Sequence, residues 1–135
     1  MSPFEDVESI LGTIPRGPIA GGQTIDGDGT ISVVDPATEE VLVDIAAGTV
    51  DTALVAVDAA EQAMPSWAAA SPRHRSDVLR RAYELMVARS EALARLIVLE
   101  NGKALADARG EVAYAAEFFR WGLGEARWSR VRAPG

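Results

Sequence analysis

The sequence divides near residue 50 into two parts of different composition, and this division constrains the fold most. Six of the twelve glycines and two prolines lie within residues 12–30, where they oppose long regular elements. Residues 50–121 are rich in alanine and leucine and contain only Pro65 and Pro72. Alanine has the highest helix propensity. The sequence therefore predicts an α+β chain, with short β-hairpins first and about four amphipathic helices after them.

The clearer of two predicted hairpins joins residues 31–34 to residues 41–45, which are both short and rich in β-branched residues. Asp35 and Pro36 begin the connection between them. An aspartate at the first turn position accepts backbone hydrogen bonds, and a following proline fixes φ for a type I turn. The pattern is typical of an antiparallel pair of strands.

A second, shorter hairpin is expected around Gly21 and Gly22, with residues 18–20 and 23–25 as its arms. Residues 4–11 carry apolar side chains at helical spacing and favour a short leading helix.

Four helices are expected beyond residue 49, because each has recognisable start and stop signals. The first is capped by Thr49 and ended by Pro65, with Trp67 in the connection; the second is capped by Ser71 with Pro72 at its first position; the third is capped by Ser90 and ended by Asn101-Gly102; the fourth runs from about Ala104 to Trp121.

The charge pattern and hydropathy exclude several partners. The net charge is −7, and residues 1–50 hold nine acidic residues and one basic residue, which argues against nucleic acid as the main partner. No apolar run approaches the roughly 20 residues of a membrane span, and the acidic N-terminus is unlike a signal peptide. We expect a cytoplasmic protein that binds neither membranes nor nucleic acid.

The sequence contains few of the residue types that bind metals or act as nucleophiles. The 135 residues contain no cysteine and one histidine, so thiolate metal sites and a cysteine nucleophile are excluded within them. Residues 26–29 (Asp-Gly-Asp-Gly) resemble the middle of a calcium-binding loop, but Thr24 stands where its first carboxylate belongs and Asp35 where a bidentate glutamate belongs. We expect an acidic turn, and assign no metal, catalytic or cofactor-binding residue.

A basic cluster is expected at the start of the second helix and along it. It comprises Arg73, Arg75, Arg80 and Arg81, with His74 among them. A solvated helix surface is the main interpretation of this cluster, and phosphate binding is the alternative.

Five phrases, in order, resemble the N-terminal portion of the aldehyde dehydrogenase superfamily, over about residues 30–121. The last of them is most similar to the succinate-semialdehyde dehydrogenase branch. The phrases are Val34-Asp-Pro-Ala-Thr-Glu-Glu-Val41, Val57-Asp-Ala-Ala60 with Trp67, Arg75 with Leu79 and Arg80, Leu99-Glu-Asn-Gly-Lys103, and Glu111-Val-Ala-Tyr-Ala-Ala-Glu-Phe-Phe-Arg-Trp121.

The resemblance implies a parent enzyme that oxidises an aldehyde to an acid with NAD or NADP, through a cysteine thiolate and a glutamate that activates water. In the family these residues and the dinucleotide-binding units follow the stretch seen here, so none is carried over. The family's equivalent of the fourth helix lines the entrance to the substrate tunnel. The resemblance thus makes Tyr114, Phe118 and Trp121 the candidate substrate wall; packing between helices is the alternative.

We divide the chain into an extension with turns (residues 1–29), a dehydrogenase-like segment (30–121) and an atypical, disordered tail (122–135) that we interpret as the product of a frameshift or early stop. Two functions are expected. One is a truncated aldehyde dehydrogenase-like chain that is inactive alone. The other is a non-catalytic module that binds a full-length aldehyde dehydrogenase subunit.

Overall fold

The computed structural model describes Val7, Ser9 and residues 11–128, with side chains up to Gly122. Val7, Ser9 and Leu11 are helical, within the leading helix expected from the sequence. The elements that follow are β1 (Ile19–Ala20), β2 (Gln23–Thr24), β3 (Thr30–Val34), β4 (Val41–Ala46), α1 (Val50–Ala69), α2 (Pro72–Ala88), α3 (Ser90–Asn101) and α4 (Leu105–Trp128). The predicted α+β class is confirmed.

Both predicted hairpins are present as two-stranded antiparallel sheets. In β1–β2, Gly21 and Gly22 both have positive φ, 59° and 79°, the conformation that a two-residue hairpin turn requires. In β3–β4, Ser32 lies opposite Asp44, and its hydroxyl donates a 2.6 Å hydrogen bond to the Asp44 carboxylate.

The β3–β4 connection is built on Asp35, as the sequence indicates. Its carboxylate accepts a 2.8 Å hydrogen bond from the Ala37 N–H, and its carbonyl accepts one of 2.8 Å from the Glu39 N–H. Glu39 is in the left-handed region, with φ 61°. The register shifts by one residue at Val33/Val34, so the loop feeds a bulge rather than a regular ladder.

Helix α1 begins as predicted and ends later than predicted. Thr49 accepts a hydrogen bond from the Thr52 N–H, and the Thr52 hydroxyl accepts one from the Thr49 N–H, which is a reciprocal cap. The expected stop at Pro65 is wrong: the helix runs on to Ala69 and includes Trp67. Proline removes one helical hydrogen bond, and Glu61, whose carbonyl loses that bond, is exposed to solvent.

Helices α2 and α3 are joined by one residue. Ser71 caps α2 through a 3.1 Å bond from the His74 N–H, and Pro72 takes the first turn as expected. The predicted cap at Ser90 is wrong, since Ser90 is already helical and Arg89 precedes it without a side-chain cap. Arg89 ends α2 and begins α3, so no separate capping position exists.

Helix α3 ends at Gly102, as predicted, and α4 extends past its predicted end. Gly102 has φ 70° and donates to the Val98 carbonyl. A Cβ on Gly102 would lie 3.0 Å from Pro36 Cγ, so α3 ends against the β3–β4 loop. Helix α4 continues through Gly122 to Trp128. A Cβ on Gly122 would lie 3.2 Å from Leu79 Cδ1, which explains a glycine where α4 meets α2.

The core lies where α4 packs on α2 and α3. Its fully buried residues are small, and the half-buried Leu93, Ile97, Val98 and Leu105 pack against them. Ala94, Ala108 and Val112 form its buried cluster, and Ala116 is buried beside it. Small residues let helix axes approach closely. The helical spacing of Leu105, Ala108, Val112, Ala115 and Phe119 predicts one core-facing side of α4; Ala108 and Val112 are buried there, and the other three are half-buried. Val78, at an apolar position of α2, is 45% exposed.

Candidate functional site

The candidate site is the aromatic face of α4, defined by Tyr114, Phe118 and Trp121. Their spacing of four and three residues places them on one side of the helix. This side is opposite the core-facing residues, so the three side chains are 69%, 62% and 72% exposed. The Tyr114 and Phe118 rings meet edge to face, with centroids 4.9 Å apart, a favourable aromatic geometry.

Glu117 completes a shallow depression on the same face. The depression is lined by Tyr114, Glu117, Phe118 and Trp121 and encloses about 290 Å³. The Glu117 carboxylate accepts a 2.7 Å hydrogen bond from Arg120 Nε, and this bond raises the pKa of the Arg120 guanidinium. The depression is thus an apolar wall whose one carboxylate is already neutralised by an adjacent cation. It offers surface for a small apolar group, without an acid–base pair.

The aromatic face is not covered by the rest of the described chain. The alternative expectation, packing between helices, therefore does not hold among residues 11–122, since all three rings remain more than 60% exposed. Helix α4 therefore has two apolar sides. One packs on α2 and α3, and the other, which carries the three rings, is exposed among the described residues.

The basic cluster predicted on α2 is divided between surface and interior. Arg80 and Arg81 are exposed and pair with Asp77 and Glu84 one turn away. The prediction of a solvated side chain is wrong for Arg75. It is only 6% exposed, and its guanidinium donates to the Ala70 carbonyl.

This hydrogen bond connects α2 to Ala70, the residue at which α1 ends. The exposed remainder of the cluster, Arg73 and His74 at the start of α2, is a solvated helix surface.

In the acidic turn at residues 26–29, the backbone passes close to the backbone of Ala47. The Asp28 N–H donates a 2.9 Å hydrogen bond to the Ala47 carbonyl. A Cβ on Gly27 would lie 2.1 Å from that same oxygen, so only glycine fits. Among the residues that the structure describes, no group of three or more His, Cys, Asp or Glu side chains is placed to hold a metal ion.

The sequence analysis did not predict one ion-pair network, which is centred on Glu91. Arg109 on α4 bonds to Glu91 on α3, and Arg95 one turn further along α3 also contacts Glu91. The Arg109 hydrogen bond is the largest of the influences that lower the pKa of the Glu91 carboxyl. The Glu91–Arg95 spacing was visible in the sequence, but the partner 18 residues away depends on how α3 and α4 pack.

No helix in the described part of the chain combines the length and apolar character needed to cross a membrane.

A family model described as "Aldehyde dehydrogenase family" matches residues 24–132. The matched stretch includes the aromatic face and extends beyond residues 30–121, where the phrases of the sequence resemble that family. Glutarate-semialdehyde dehydrogenase of Pseudomonas putida is 45% identical over 109 residues, which are 78% of this chain and 22% of that protein. Succinate-semialdehyde dehydrogenase of Paenarthrobacter nicotinovorans is 54% identical over 80 residues, 59% of this chain and 18% of that protein.

Solved structures of aldehyde dehydrogenases have the same fold as this chain. Succinate-semialdehyde dehydrogenase from Burkholderia pseudomallei superposes with a TM-score of 0.80 at 32% identity, over 90% of this chain and 26% of that one. Betaine aldehyde dehydrogenase from Staphylococcus aureus, at 22% identity, shows the same fold with a TM-score of 0.85 over the whole of this chain and 28% of that one. The present chain spans about a fifth of the length of the curated relatives it matches. The protein belongs to the aldehyde dehydrogenase family and corresponds to the N-terminal portion of its members.

Proposed function

We propose that this chain is the N-terminal part of an enzyme that uses NAD or NADP to oxidise a succinate-semialdehyde-like aldehyde to a carboxylic acid. The similarity to succinate- and glutarate-semialdehyde dehydrogenases over most of the chain carries the proposal. The 135 residues contain no cysteine, so the thiolate that attacks the aldehyde belongs to polypeptide outside them.

The described residues do not themselves fit a nicotinamide dinucleotide. Pyrophosphate binding in such folds needs a glycine-rich turn between a strand and a helix. Gly122 and Gly124 lie inside α4, and the described strands form two hairpins without a βαβ unit. We therefore assign no residue of this chain to the cofactor.

The role we assign to this chain is to wall the path of the aldehyde with Tyr114, Phe118 and Trp121. Three exposed aromatic rings on one helix face form a contiguous apolar surface, and such surfaces usually mark a binding or contact site. Glu117 lies between the rings but is paired with Arg120, so it does not present a free negative charge to an anionic semialdehyde.

The test replaces the matching segment of Escherichia coli succinate-semialdehyde dehydrogenase [NADP(+)], 37% identical over 105 residues, with residues 24–132 of this chain. We expect the chimera to reduce NADP⁺ when given succinate semialdehyde. Phe118→Ala and Trp121→Ala should then change kcat/KM for aldehydes of different chain length by about tenfold, the value of one large apolar contact. Trp67→Ala, an aromatic on α1, is the matched control and should leave the length preference unchanged.

Two results would contradict this proposal. One is a folded chimera that oxidises no semialdehyde. The other is an unchanged length preference in the Phe118 and Trp121 variants, which would remove the aromatic face from the substrate path. The purified chain alone should give no aldehyde-dependent NAD(P)H.

A second candidate function is a non-catalytic module that binds a full-length aldehyde dehydrogenase. The exposed aromatic face favours it, because a face that the described residues leave uncovered is available to another chain. Co-purification of the native chain with a full-length dehydrogenase, lost on Phe118→Ala, would support this function. If no such complex forms, the first candidate function, the N-terminal part of a dehydrogenase, remains.

A further inference from the structure

The half-buried residues of helix α1 all have small side chains. Thr52, Ala56 and Ala59 are half-buried, and Ala59 lies against the β1–β2 turn, 3.9 Å from where a Cβ on Gly21 would be. No residue of this 20-residue helix is fully buried. Its attachment to the described chain therefore uses its smallest side chains.

The large apolar side chains of α1 point the other way. Val50, Leu54, Val57 and Met64 recur at intervals of four, three and seven residues, so they share one side of the helix, here called the outer face. They are 76%, 56%, 62% and 62% exposed. An amphipathic helix normally turns such a stripe towards a core, so this stripe fits a surface that the described residues do not provide.

Charge argues against a second copy of the chain as the cover. Glu61 falls within the outer face, between Val57 and Met64 in the helical repeat. A two-fold pairing of outer faces would bring two such carboxylates into an apolar interface, between chains that each carry a net charge of −7. Burying like charges together is costly.

Chain length argues for another occupant. The chain spans 22% of the Pseudomonas putida and Escherichia coli relatives, so more than three-quarters of such an enzyme lies outside it. We propose that the outer face of α1 is the docking surface for this remaining dehydrogenase polypeptide, and that the chain binds it even when the two are separate molecules. This inference rests on family membership and not on the identity of the aldehyde.

The test is a titration of the full 135-residue chain with the Escherichia coli enzyme from which the matching segment has been deleted. We expect a complex, and we expect Val57→Glu to weaken it by at least about tenfold, since a buried unpaired charge replaces an apolar contact. Val55→Glu is the matched control. It changes the same residue type on the same helix, about 160° away, and should bind like the unsubstituted chain.

The same two substitutions in the chimera described above cover the case in which the shortened enzyme does not fold. Val57→Glu should lower the thermal midpoint of the chimera, and Val55→Glu should not. In the isolated chain both variants should unfold at the same temperature, because both side chains are exposed there.

Equal effects of the two substitutions in both assays would overturn the proposal. So would a dimer of the isolated chain, seen by light scattering, that Val57→Glu dissociates, since the occupant would then be a second copy. A chimera that shows the expected difference but oxidises no semialdehyde would retain the docking surface and reject only the proposed substrate.

Discussion

Arg109 on α4 holds both carboxylate oxygens of Glu91 on α3: Nε lies 2.9 Å from Oε2, and Nη2 lies 2.8 Å from Oε1. This two-point geometry fixes orientation as well as distance. It joins two helices that otherwise meet through apolar residues, among them Ala94, Ile97 and Val112, and both of its residues line a groove together with Val112 and Ala116.

Glu91→Gln should lower the thermal midpoint at neutral pH by a small amount, because the pair is partly exposed to solvent. The pKa of Glu91 is lowered from its ordinary 4.5 in the folded chain. Its contribution is therefore present above that value and is lost as the pH falls through the lowered pKa. Melting curves of both proteins should converge below pH 4.5; a gap that widens there would contradict this. Glu84→Gln, from a looser exposed pair at 3.8 Å, should have no effect.

Arg75→Met should destabilise the chain by about 1–3 kcal/mol, the cost of leaving a buried polar group without its partner. The side chain is buried and its guanidinium bonds to the Ala70 carbonyl that ends α1. Arg73→Met, the same change two residues earlier on an exposed side chain, should stay within about 0.5 kcal/mol. Urea unfolding followed by circular dichroism measures both. Equal losses in the two variants would mean that charge, not the buried bond, is responsible.

Two glycine substitutions should act in opposite directions. Gly102→Ala forces a side chain into φ 70° and towards Pro36, and should cost about 1–2 kcal/mol. Gly110→Ala lies within α4 with no atom within 4 Å of the new Cβ, and should stabilise by about 0.5–1 kcal/mol. Denaturant midpoints of the pair provide the measurement, and a stabilising Gly102→Ala would exclude the left-handed cap.

Val112→Ala should cost about 1.5–3 kcal/mol, because Val112 is 4% exposed in the small-residue core and its methyl groups are lost from full burial. Val87→Ala, 49% exposed beside the same groove, should change stability by less than about 1 kcal/mol. Similar losses in both would indicate that Val87 is also covered in solution, which light scattering at increasing concentration would reveal.

Local chemistry predicted the elements whose ends are set by neighbouring residues. The two hairpins follow from Gly21-Gly22 and Asp35, and the cap at Ser71 needs only side-chain and backbone atoms close in sequence. The errors arose where a distant contact or solvent decides. Pro65 removes one hydrogen bond of an exposed helix without ending it, and Arg75 is buried with its guanidinium bonded to the Ala70 carbonyl beyond its own helix.

The candidate site was also predictable only where local spacing decides. A spacing of four residues predicts that Tyr114 and Phe118 share a side of α4, and their rings are in contact. That this side is uncovered, and that Glu91 meets Arg109, depends on which helices pack together, and single-helix periodicity does not contain that information.

A helix attached through alanines, with its valine, leucine and methionine outward, makes the stability of this chain a function of the concentration of whatever covers α1. Anything that binds only the folded form raises the unfolding free energy in proportion to the logarithm of its concentration. The melting temperature of this chain is then a titratable quantity: low in dilute solution, and higher wherever the complementary polypeptide is in excess.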